Sequence, residues 1–138
     1  MPLIACLKVT IMKLRLRSKV WLESEAGKTV IGEGRLKILL AVRRTGSISK
    51  AARSLGMQYR NVWAKIKDAE RQCGFSIVET TKRGSSLTPE GEQLVRTYYE
   101  LNRGCQRSAK ARFRKLFSND GLNSASKDGD GFPIERRK

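Results

Sequence analysis

Gly46-Ser47-Ile48-Ser49-Lys50-Ala51-Ala52-Arg53-Ser54-Leu55-Gly56-Met57 is the stretch from which the rest of the chain is read. Ser47 offers a side-chain oxygen to cap a short helix. Ile48, Ala51, Ala52 and Leu55 recur at helical spacing, and Gly56 stands where a left-handed residue ends a helix. A second run follows after a tight turn: Val62, Ile66, Ala69 and Cys73 share one stripe of a helix predicted from about Gln58 to Cys73. Small Ala51 and Ala52 at the crossing of two such helices make a helix-turn-helix. An ordinary αα-hairpin core has the same spacing, and the basic surroundings are what favour the first reading.

Working outward, Leu36, Leu39, Leu40 and Val42 predict an earlier helix with one broad apolar face, stopped at Gly46. Before it, Leu14, Leu16, Val20 and Leu22 alternate with Lys13, Arg15, Arg17 and Lys19, the period of a half-buried strand. The turn Glu25-Ala26-Gly27-Lys28 and the β-branched Thr29-Val30-Ile31 complete an N-terminal β-hairpin. Downstream, Ile77–Thr81 and the stretch near Ser86-Leu87 read as strands joined by Lys82-Arg83-Gly84-Ser85, a basic wing.

Thr88-Pro89-Glu90 marks a last helix start by capping hydroxyl, proline and first-turn acid. Leu94, Tyr98, Leu101 and Cys105 form its expected seam, against the domain or a second subunit, and Gly104 is a point of kinking or interruption. The expected class is mainly α with small β (α+β): a winged helix-turn-helix with an N-terminal β-hairpin and a long C-terminal helix. Residues 1–11 read as an N-terminal extension or an upstream start, 12–117 as the domain, and 118–138 as a flexible tail.

In 138 residues, 29 Lys and Arg against 13 Asp and Glu leave a formal charge of +16. Such a field favours a polyanion, and because the cations are spread over several elements, nucleic acid is preferred to a membrane surface. The three cysteines, Cys6, Cys73 and Cys105, have no paired spacing and there is no His, so no metal site and no cofactor is expected. With no phosphate loop and no carboxylate pair, catalysis lacks its usual parts and no enzyme is expected. The apolar run Leu3 to Leu7 is too short for a span and lacks the basic start of a signal peptide, which points to a cytoplasmic protein.

The third helix of such a unit enters the major groove with its first turns near the bases. On a wheel anchored at Val62, the residues Arg60, Asn61, Ala64, Lys67 and Arg71 point away from the apolar stripe. Arg60 suits guanine, Asn61 adenine, and Ala64 close approach to a thymine methyl. Gln58 and Tyr59 at the helix start reach base or phosphate, and a solvated polar face is the plainer account of any one of these residues. Lys82 and Arg83 suit phosphate or the minor groove. Ser47 and Ser49 are placed to hold a phosphate at the second helix, although Ser47 as a simple cap is equally economical. Trp63, at the stripe's edge, is expected to pack in the core. Arg103, Arg107, Lys110, Arg112, Arg114 and Lys115 follow one another without an acid, as added phosphate affinity or as a solvated helix end.

Val20-Trp21-Leu22-Glu23, Gly32-Glu33-Gly34-Arg35, Thr45 to Ala52, Leu55-Gly56-Met57, Tyr59-Arg60 and Trp63 together resemble the N-terminal DNA-binding domain of the ModE family of molybdate-responsive regulators, over roughly residues 12–101. Thr45 to Gly91, including Leu87-Thr88-Pro89-Glu90-Gly91, resembles the LysR-type winged helix more weakly, and the preceding hairpin with Gly32-Glu33-Gly34-Arg35 is what favours ModE. The resemblance implies a homodimer binding double-stranded DNA at an inverted repeat and regulating transcription. A chain of this length is expected to hold no sensor domain of its own, so molybdate binding is not carried over. A nonspecific or architectural nucleic-acid binder is the alternative.

Overall fold

The computed structural model describes residues 14–117; the expected extension and tail lie outside them. The elements are β1 (Leu22–Glu23), β2 (Thr29–Ile31), α1 (Glu33–Thr45), α2 (Ile48–Leu55), α3 (Tyr59–Cys73), β3 (Val78–Thr81), β4 (Gly84–Leu87) and α4 (Pro89–Leu116). The described residues are mostly helical, with two small antiparallel sheets, β1–β2 and β3–β4. The described residues divide into two compact units, Lys19–Cys105 and a second that joins residues 14–18 to 106–117.

In the first unit, α1 and α2 each close on a left-handed glycine, Gly46 and Gly56, whose N–H groups return to last-turn carbonyls. Val42, Ala51 and Val62 are fully buried, one from each helix of the trio. The methyl of Ala51 is small enough to let its neighbours close over it. Burying a Val or Ile side chain contributes about 1.5–3 kcal/mol, so Val62 and Ile66 hold α3 by its inner stripe. Ile31, Ile77 and Tyr98 extend the same core to β2, the start of the wing and α4.

Several sequence expectations need correcting. The strand predicted from Lys13 is paired only at Leu22–Glu23, because β2 is three residues long and gives way to α1. The alternation survives as partly buried Leu16, Ser18 and Val20 between exposed Arg15, Arg17 and Lys19, while Leu14 is exposed. The Val20 carbonyl instead accepts from Tyr98 Oη at 2.8 Å. Leu40 is exposed beside Lys37 and Arg44, and Ile38 and Ala41 are buried instead, since the buried arc of α1 ends one step short of Leu40.

The wing turns on Lys82 and Arg83 alone, with Gly84 and Ser85 already paired to Thr81 and Thr80. α4 buries Gly91, Val95 and Tyr98 with Leu94 half-buried, so the seam lies off the predicted line and Leu101 is exposed. Gly104 does not interrupt the helix, which runs for 28 residues.

The start of α4 is held by Thr88, whose Oγ1 accepts from Gly91 N at 2.9 Å and donates to the Ser76 carbonyl at 2.6 Å. Gly91 is required by close approach, because a Cβ there would run into the Ile77 carbonyl. Gly104 has open space around its missing side chain. Gly91→Ala is therefore expected to destabilise by about 1–3 kcal/mol through overpacking. Gly104→Ala is expected to stabilise by up to about 1 kcal/mol through helix propensity. Thermal melts of the two variants check both signs.

Candidate nucleic-acid interface

Ser47 Oγ accepts the N–H of Lys50 at 3.2 Å, so this hydroxyl is the cap of α2. Ser49 and Lys50 are exposed on the first turn that Ser47 closes. The Gly46 carbonyl, one residue earlier, accepts Ser85 N–H of β4 at 2.8 Å. The wing is thereby fastened to the turn that starts α2. Lys82 and Arg83 are exposed at its tip, where Arg83 N–H donates to Thr81 Oγ1 at 3.2 Å.

Gln58 occupies the N-cap position of α3 without making a side-chain cap bond. Gln58, Tyr59, Arg60 and Asn61 are all exposed. The side chains of Gln58, Arg60 and Asn61 form no hydrogen bond or ion pair among the described residues. Arg60, Ala64, Lys67 and Arg71 step along one face opposite Val62, Ile66 and Ala69. The second half of that face is internally neutralised: Lys67 pairs with Glu70 at 3.0 Å, and Arg71 approaches Asp68 at 3.4 Å. Trp63 is 45% exposed, contrary to the expected packing. One step round from Val62, it shares its side of the helix with Tyr59 and Lys67, whose Nζ lies 5.8 Å from the indole centroid.

Three residues that fix this surface were not singled out for it in the sequence. Arg35 donates to the carbonyls of Thr29 at 2.6 Å and Val30 at 3.2 Å and to Asp68 Oδ2 at 2.6 Å, tying β2, α1 and α3 together. The Arg35 hydrogen bond is the main reason that the Asp68 carboxyl sits below its ordinary pKa. Glu70 Oε2 accepts the N–H groups of Ile77 at 2.7 Å and Val78 at 3.2 Å. Burial pushes the Glu70 pKa up, but those two N–H groups together with Lys67 outweigh it and hold the group ionised. The only local trace of Glu70 was an acid in a basic helix; the Arg35–Asp68 pair joins positions too far apart for any spacing rule.

A three-helix core, a helix pair joined through Gly56 and a basic two-stranded wing define a winged helix-turn-helix. Residues 34–92 match the family described as "Bacterial regulatory helix-turn-helix protein, lysR family". These residues are a LysR-type helix-turn-helix domain. The HTH-type transcriptional regulator YofA of Bacillus velezensis is 49% identical over 63 residues, covering 46% of this chain and 22% of that protein. The molybdenum transport protein ModE of Herbaspirillum seropedicae is 31% identical over 71 residues, covering 48% of this chain and 26% of that protein. The chain thus spans about a quarter or less of the length of these relatives. Both family resemblances read from the sequence are found, but in the reverse order to the one expected: the LysR-type resemblance is the stronger and the ModE one the weaker. The BenM DNA-binding domain, solved with benA site 1 DNA, shares the fold with TM-score 0.50 at 23% identity, covering 59% of this chain and 94% of that one.

Asp68 and Glu70 are depressed in the folded chain, so protonation favours unfolding. Their stabilisation is complete above the unfolded carboxyl range, about pH 4, and is lost as the pH falls through the lower folded values. Urea midpoints should therefore drop between neutral and acid pH. Glu70→Gln should start lower at neutral pH and lose less on acidification than the parent. Parallel pH curves for the two proteins would show that Glu70 has no part in it.

Proposed function

We propose that this chain is a sequence-specific, double-stranded-DNA-binding transcriptional regulator that acts in the cytoplasm as a homodimer on an inverted repeat. One observation carries the reading: in a LysR-type helix-turn-helix domain, the first turns of α3 present Gln58, Arg60 and Asn61 exposed, their side chains without a partner among the described residues, opposite a buried stripe. In this reading α3 lies in the major groove, with Arg60 forked to guanine, Asn61 paired to adenine and Ala64 against a thymine methyl. Gln58 and Tyr59 take base or phosphate at the groove's edge. Ser49 and the Ser47-capped amides of α2 take a phosphate, and Lys82 and Arg83 take the backbone or the minor groove beside it.

Lys67 has a lesser place than its position on the face suggests, because it must leave Glu70 to reach DNA. The proposed function is recognition, with no catalytic step, and no described surface is assigned to molybdate. YofA of Bacillus velezensis is described as an HTH-type transcriptional regulator, which supports the same reading.

The excess of positive charge favours one rival, an architectural binder indifferent to sequence. Selection from a random duplex library separates the two: the regulator enriches a near-palindrome with half-sites about one helical turn or a multiple apart, and the rival enriches nothing. Arg60→Ala is expected to cost about 1–3 kcal/mol on the selected site and to relax preference at one base pair. Lys82→Ala is expected to weaken specific and random duplexes alike, lowering the salt slope by about 1. Equal losses on both duplexes for Arg60→Ala would remove it as a reader of bases.

A further inference from the structure

The second unit brings together two stretches far apart in sequence. Ser18 Oγ donates to Gln106 Oε1 at 2.9 Å, and Gln106 Nε2 donates to the Ser18 carbonyl at 3.0 Å, so the segment before β1 lies against the later turns of α4. Residues 14–18 and 106–117, the described part of this unit, contain no Asp or Glu. Arg15, Arg17, Arg107, Lys110, Arg112 and Arg114 are all exposed there, and none forms an ion pair or hydrogen bond among the described residues. In α3, by contrast, Lys67 and Arg71 each face a carboxylate.

Helix electrostatics does not account for this density of charge. The macrodipole favours cations only in the last turn, which covers Arg114 and Lys115 but not Arg107 or Lys110. Arg107 with Lys110, and Lys110 with Arg114, are like charges at the spacings where repulsion destabilises a helix. An external anion would relieve that repulsion along the whole stretch.

We propose that residues 14–18 and the 106–116 part of α4 form a second, sequence-independent surface that binds the phosphate backbone of nucleic acid. Arg107 to Arg114 spans roughly 10 Å of helix, about three phosphates of one strand. Guanidinium groups, which dominate the set, fork onto phosphate oxygens. A lipid surface fits less well. It needs a continuous apolar side: Leu14, Leu116 and Phe117 are exposed at the ends of the two described stretches, but between them the side of α4 carrying Ala109 and Phe113 is the one on which Gln106 meets Ser18, and both are partly covered.

The test replaces Arg107→Gln, Lys110→Gln, Arg112→Gln and Arg114→Gln together in the full chain, glutamine being a good helix former. Binding to a random-sequence duplex is measured across a salt series, beside binding to phosphatidylglycerol vesicles. The expected result is a loss of roughly tenfold or more in duplex affinity and a salt slope smaller by up to about 2.7, at about 0.9 for each of the three phosphates spanned. Helical circular dichroism and the ratio of selected-site to random-site affinity should be unchanged. An unchanged duplex slope overturns the proposal, as does loss confined to the vesicles. A single Lys110→Glu variant, at the middle of the face shared by Arg107 and Arg114 and expected to lower the duplex slope on its own, gives an independent reading. Failure of base recognition by α3 is seen separately, as a parent protein without sequence preference whose duplex affinity still falls in the fourfold variant.

Discussion

The carbonyl of Gly46 holds the helix-turn-helix and the wing in one frame. Gly46 ends α1 in the left-handed region with φ 72°, which turns the chain so that Ser47 can cap α2 in the next step. Its N–H returns to Val42, and its carbonyl, freed from the helix, accepts Ser85 N–H from β4. Gly84 packs flat against that same carbonyl, where any Cβ would collide with it. A side chain at either glycine would disturb a helix end, a helix start and a hairpin together.

Two carboxylates extend that frame to α3. Glu70 reaches out of α3 to cap the N–H groups at the entry to β3, and Asp68 holds Arg35, which in turn holds the carbonyls of β2. Each satisfies backbone groups or a charge that would otherwise be left without a partner beside the core. The N-terminal hairpin and the wing are therefore fixed to α3 by the side chains of its second half, and the inner stripe of Val62, Ile66 and Ala69 supplies the burial.

What could be read ahead of the structure was what local chemistry determines. As helix ends and caps, Gly46, Gly56, Ser47 and Thr88 work through groups within a few residues of themselves, and those ends and caps fell where spacing put them. The face of Arg60, Ala64, Lys67 and Arg71 followed from the helical period alone. What failed depended on distant partners. The strand from Lys13 lacked a long enough neighbour in β2, and the seam of α4 was set by where Ile77 and Val20 meet it. Trp63 carried the large apolar surface of a core residue in a position one step from the stripe, and composition misled where angle would not have.

The same distinction orders the charges. Along α3 the cations of the second half face Glu70 and Asp68, which are committed to the scaffold and cannot leave without loosening the wing or the hairpin. The first turns carry no acid at all. The positive field of that helix is thus strongest at the end where its own N–H groups add a further partial positive charge. Under the proposed function, a duplex would meet α3 by its N-terminus, where Gln58, Arg60 and Asn61 stand, and the carboxylates that stabilise the fold would disfavour its approach to the other end.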